Sequence, residues 1–84
     1  MEIRFKASAK KRFDKLPKQI RIRLVEKLEF FLSQPNPLLY GEILTNPKIG
    51  TYRFRIGDYR IVFDLSENNI IMIVDVAHRK DIYR

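Results

Sequence analysis

The sequence predicts an α+β fold in which an N-terminal strand and a two-helix hairpin pack on one face of a small, mainly antiparallel sheet. Three observations predict it. The start, Glu2 to Lys6, alternates polar and apolar residues; two stretches with helical apolar spacing follow; and the remainder divides into β-rich segments separated by tight turns. A chain of 84 residues builds one core and no more, so residues 1–84 are read as a single domain.

Ile3 and Phe5 fall on the same side of the first segment, the pattern of a short half-buried strand. Ser8 is the expected cap of a first helix, with Ala9, Phe13 and Leu16 on its inner face and Lys10, Lys11, Arg12 and Lys15 in water. Pro17 ends that helix and suits the first turn of the next. From Pro17 to about Ser33, Ile20, Leu24, Leu28 and Phe31 form an apolar stripe that Val25 and Leu32 widen. Ile22 and Phe30 fall off it, either as scattered surface residues or as part of a partner-binding patch.

Residues 34–50 carry Pro35, Pro37 and Pro47 and are expected to form a surface connection pinned to the core by Leu38, Leu39, Ile43 and Leu44. Three strands follow, Thr51 to Ile56, Tyr59 to Leu65 and Asn69 to Ala77. Gly57-Asp58 is a glycine-first loop that suits a type II′ hairpin. The last strand is apolar on both parities through Ile70 to Val74, so a central position is expected.

Composition limits the function classes. Six Phe, four Tyr and 45% hydrophobic residues describe a globular domain. Without cysteine there is neither a disulfide nor a thiolate metal site, which fits a reducing compartment. No apolar run approaches the roughly 18 residues of a membrane span, and the cytoplasm is the default location. The formal net charge of +7 predicts attraction to phosphates or acidic proteins, without choosing between them.

The hairpin register concentrates that charge. Closure at Gly57-Asp58 sets Arg55 opposite Arg60, with Tyr52, Phe54, Ile56, Tyr59, Ile61, Phe63 and Leu65 on the helix-covered side and Arg53, Arg55 and Arg60 on the other. Like charges face to face destabilise a strand pair unless an anion lies between them or the side chains splay into solvent. Pairing Leu65 with Ile70 would bring Asp75 opposite Arg60, as an orienting carboxylate or a plain ion pair. The ending, His78-Arg79-Lys80-Asp81-Ile82-Tyr83-Arg84, is expected to emerge near this patch, with Arg79 on the parity of Asp75 and His78 on the other.

Clustered guanidiniums beside a phenol or imidazole suit phosphodiester cleavage in which RNA supplies its own 2′-OH nucleophile. Arginines would stabilise the charge of the transition state while Tyr83, His78 or Arg79 moves or holds protons. His78 is equally readable as a packed or exposed residue. The phosphate-loop, dinucleotide, nucleophile-elbow and zinc-ligand motifs are absent from the sequence; no cofactor is called for and metal-dependent hydrolysis is not expected.

The core Arg55-Ile56-Gly57-Asp58-Tyr59-Arg60, the ending His78-Arg79 with Tyr83, and the order of elements along the whole chain resemble the RelE/ParE toxin superfamily. The resemblance implies a toxin of a toxin–antitoxin operon, held by a cognate antitoxin, and in RelE-like members a metal-independent endoribonuclease that cuts mRNA on the ribosome. It implies transition-state stabilisation by Arg60, a cationic acid or charge stabiliser in Arg79, and contact of Tyr83 with the base or 2′-OH. Arg53 and Arg55 match positions that hold the RNA backbone, and Lys48 joins them as a candidate RNA contact. Thr45 stands where some members carry a basic residue. A ParE-like inhibitor of DNA gyrase and a non-catalytic nucleic-acid-binding module are the competing readings.

Overall fold

The computed structural model describes residues 2–43, 52–66 and 68–82. Strand β1, Glu2–Phe5, leads into helices α1, Ala7–Asp14, and α2, Lys18–Ser33. A short 3-10 helix, Pro37–Tyr40, runs into strand β2, Gly41–Ile43, and then come β3, Tyr52–Ile56, β4, Tyr59–Leu65, β5, Ile70–His78, and a helical turn α3, Arg79–Ile82. The strand order is β1-β5-β4-β3-β2, with β1 parallel to β5 and the other pairs antiparallel. Among the described residues, no helix is long and apolar enough to cross a membrane.

The helical stripes cover one sheet face, as their spacing requires. Ala9 and Phe13 of α1 and Leu24, Leu28 and Phe31 of α2 are buried against Phe54, Ile56, Ile61, Phe63, Ile71, Ile73 and Val76. Aromatic rings link the layers: Phe31 lies 4.8 Å from Phe54, which stacks on Phe63 at 4.5 Å. Such contacts add about 0.5–1.5 kcal/mol each beyond area burial, which matters in a domain this small. Ile22 and Phe30 are exposed, as their positions off the stripe predict.

Ser8 does not cap α1. The Lys6 N–H is taken by the Ile73 carbonyl at 2.8 Å, and the Lys6 carbonyl accepts from Lys10, so β1 passes directly into a helix that starts at Ala7. The Pro-rich connection also differs from expectation. Gly41–Ile43 extends the sheet beside β3, and Pro37 and Leu38 turn inward while Leu39 and Ile43 are each 78% exposed, on the outer side of the 3-10 helix and on an edge strand. Leu44 lies outside the described residues.

At the β3–β4 hairpin the predicted register holds throughout, from Ile56 opposite Tyr59 to Arg53 opposite Val62. Gly57 has φ +59°, the left-handed value a glycine-first turn needs. The β4–β5 register departs from expectation by two residues near Arg60. Ser66 and Ile70 pair through the Ser66 N–H, leaving three loop residues ending at Asn69 with φ 58°, so Leu65 faces Ile71. A bulge then shifts the pairing again between Val62 and Phe63. It lets Ile73 and Val76 both face the helices despite their odd spacing.

Candidate functional site

The open sheet face carries Arg53, Arg55 and Arg60, as the hairpin register dictates, but the three side chains differ in environment. Arg55 is exposed, Arg53 half-buried, and Arg60 only 5% exposed. Arg60 sits on β4, an interior strand, between Arg55 on β3 and Ala77 on β5. A guanidinium so enclosed belongs to the packed structure as well as to the face, which corrects the expectation that it lies outside the core.

The anion that relieves the arginine cluster comes from the chain itself. Glu42 of β2 stands opposite Arg53, ion-pairs with it, and approaches Arg55 at 3.6 Å. The hydrogen bond from Arg53, aided by the charges of Arg53 and Arg55, holds the Glu42 carboxyl below its ordinary value of 4.5. No sequence pattern marked Glu42, because a three-residue strand among prolines has no readable period.

Asp75 does not face Arg60. The three-residue loop and the bulge place it opposite Val62, and its carboxylate instead accepts a 2.5 Å hydrogen bond from Arg12 of α1. This carboxylate therefore ties a helix to the sheet.

A second group of cations gathers at the hairpin tip. β5 ends at His78, and Arg79 starts α3 with its backbone N–H on the Asp58 carbonyl at 2.6 Å, so Arg79 does not continue along the strand face. It lies two residues beyond Ala77, the cross-strand partner of Arg60. Asp58, His78, Arg79 and Lys80 line one open recess of about 350 Å³. The Arg23 guanidinium of α2 approaches the same tip, within 3.7 Å of where a side chain on Gly57 would begin. His78 faces Tyr59 on the helix side, where Arg12 and Lys15 border a recess of about 440 Å³. Arg23 belongs to no motif of the sequence, and only the fold brings it here. Tyr83 and Lys48, both site candidates from the sequence, lie outside the described residues. Among the described residues, no group of three His, Cys, Asp or Glu side chains is placed to hold a metal.

A two-helix layer on a five-stranded mixed sheet is an architecture found in known proteins. The family model described as the ParE toxin of a type II toxin–antitoxin system, parDE, matches residues 3–83. The chain belongs to the RelE/ParE toxin superfamily. This RelE/ParE toxin is 36% identical over 83 residues to Toxin RelG of Mycobacterium tuberculosis, a match covering 98% of this chain and 94% of RelG. Its fold aligns with a chain of the RelBE2 toxin–antitoxin complex of the same organism at a TM-score of 0.77, with 32% identity over 93% of this chain and 96% of that one. The isolated E. coli RelE toxin aligns at 0.71 over 98% of this toxin and 89% of RelE; at 22% identity that match bears on the fold alone. The α+β architecture read from the sequence is thereby shown.

Proposed function

We propose that this toxin is a ribosome-dependent endoribonuclease that cuts mRNA without a metal cofactor. The observation that carries the reading is the open sheet face, where Arg53, Arg55 and the enclosed Arg60 lie on adjacent strands. In the proposed step the ribose 2′-oxygen attacks the adjacent phosphorus as its proton leaves, the P–O5′ bond breaks, and the 5′-oxygen takes up a proton. The products are a 2′,3′-cyclic phosphate and a free 5′-hydroxyl. Arg60, with little freedom to reorganise, would stabilise the charge growing on the phosphorane oxygens, and preorganised charge of this kind is commonly the largest catalytic contribution. Arg53 and Arg55 would hold the backbone on either side, with Lys48 as a further contact. Arg79 would supply a second cation, and Tyr83 would contact the base or 2′-OH.

The solved toxin–antitoxin complexes among the structural relatives support a cognate antitoxin as partner; in this reading the antitoxin covers the basic face until it is removed, and a cytoplasmic site of action follows from a ribosomal substrate. The description of the matching family model favours a second reading, a ParE-like inhibitor of DNA gyrase. Toe-printing of mRNA translated in a purified system, alongside a gyrase supercoiling assay, separates them. Codon-spaced breaks that require the ribosome are expected. Loss of supercoiling activity with intact mRNA would replace the nuclease reading by the gyrase one, and binding without either effect would leave a non-catalytic module.

A further inference from the structure

His78 ends β5 directly across from Tyr59, with ring centroids 5.0 Å apart and planes at 85°. Its Nδ1 accepts a hydrogen bond from the backbone N–H of Lys80 at 3.1 Å. Lys80 is the second residue of α3, so the imidazole occupies the place of an N-cap side chain, which takes up a donor that the helix cannot satisfy internally. The N–H of the first residue, Arg79, goes to the Asp58 carbonyl at the hairpin tip. Two donors of the turn are thus assigned, one to a ring braced by Tyr59 and one to the β3–β4 loop.

This arrangement restricts what the ring can do. A nitrogen that accepts an N–H is unprotonated, so neutral His78 carries its proton on Nε2. In that tautomer the nitrogen that could accept a proton is already engaged by the Lys80 N–H. Taking a proton from a 2′-OH would require Nδ1 to abandon the cap.

We infer that His78 is a positioning residue: it caps the turn that presents Arg79 at the hairpin tip, and it transfers no proton. The inference rests on the nuclease reading only where it assigns Arg79 to the substrate phosphate; the cap itself is independent of it.

The test compares wild type, His78→Asn and His78→Ala in ribosome-dependent cleavage and in NMR of the free toxin. Asparagine offers an acceptor oxygen at nearly the position of Nδ1 and has no titrating ring. His78→Asn is expected to keep kcat within about threefold of wild type with an unchanged pH profile, while His78→Ala loses about tenfold, the scale of a lost cap. An asparagine variant as inactive as the alanine variant, or one that loses a limb of the pH–rate profile, would overturn the inference. Absence of cleavage by wild type would instead remove the nuclease reading, and the NMR arm then decides the cap. Protection of the Lys80 amide should fall in His78→Ala and return in His78→Asn, with wild-type Nδ1 carrying no proton. Failure of asparagine to restore that protection, or a protonated Nδ1 in the neutral ring, would refute the role.

Discussion

Glu42 is the counter-ion of Arg53: the two stand opposite each other on β2 and β3, joined by an ion pair, with Arg55 3.6 Å from the other carboxylate oxygen. Any RNA phosphate that uses this part of the face must compete with a carboxylate already there. Glu42→Gln is therefore expected to raise affinity for a short single-stranded RNA. The slope of log affinity against log salt should steepen by about 1, read by fluorescence anisotropy over a salt series.

The same pair gives a pH dependence with a defined sign. Arg53 depresses the Glu42 carboxyl in the folded state, so its contribution to stability is present above the unfolded value and is lost as pH falls through the lower folded value. Wild type should melt above Glu42→Gln at neutral pH, and the difference should vanish in acid below the ordinary 4.5. Melting curves across that range check it; a gap that widens on acidification would contradict the pairing.

Arg60→Ala should abolish cleavage and also weaken the fold. The side chain is 5% exposed, and removing a buried polar group with its apolar stem is expected to cost about 1–3 kcal/mol. Urea denaturation measures the cost. Arg60→Met, which retains the stem, separates it from catalysis by recovering part of the stability and none of the cleavage.

Asp75→Asn, in contrast, should leave cleavage unchanged. Its carboxylate is engaged by Arg12, whose side chain is 62% exposed, and pairs of this kind contribute about 0–1 kcal/mol. A large fall in kcat in this variant would show that the carboxylate reaches the reaction after all.

Phe54 is fully buried between Phe31 and Phe63, so Phe54→Ala is expected to cost about 3–5 kcal/mol, and Phe54→Asp to prevent folding. Far-UV circular dichroism during urea titration distinguishes the two outcomes.

How far such features can be read from sequence depends on whether they are periodic. The stripe Leu24, Leu28, Phe31 and the hairpin register around Gly57-Asp58 follow from repeat and loop length, and they placed three arginines on one face correctly. Glu42 and β2 were invisible, because three residues between prolines carry no period. Asp75 was misplaced by two small irregularities, a three-residue loop and one bulge, which together moved it two positions. Burial of Arg60 was also illegible: alternation assigns a residue to a face but does not say how crowded that face is. The Lys80 N–H to His78 contact depends on where a strand stops, the least readable property of all.

The parallel pairing of Glu2–Phe5 with Ile70–Ile73 has a temporal meaning. In a growing chain Glu2–Phe5 finds its strand partner only after both helices and the β3–β4 hairpin have been synthesised. Until then the edge of β1 is open and β4 lacks its neighbour on that side. The sheet face that carries Arg60 therefore cannot be completed during synthesis until Ile70–His78 has been made.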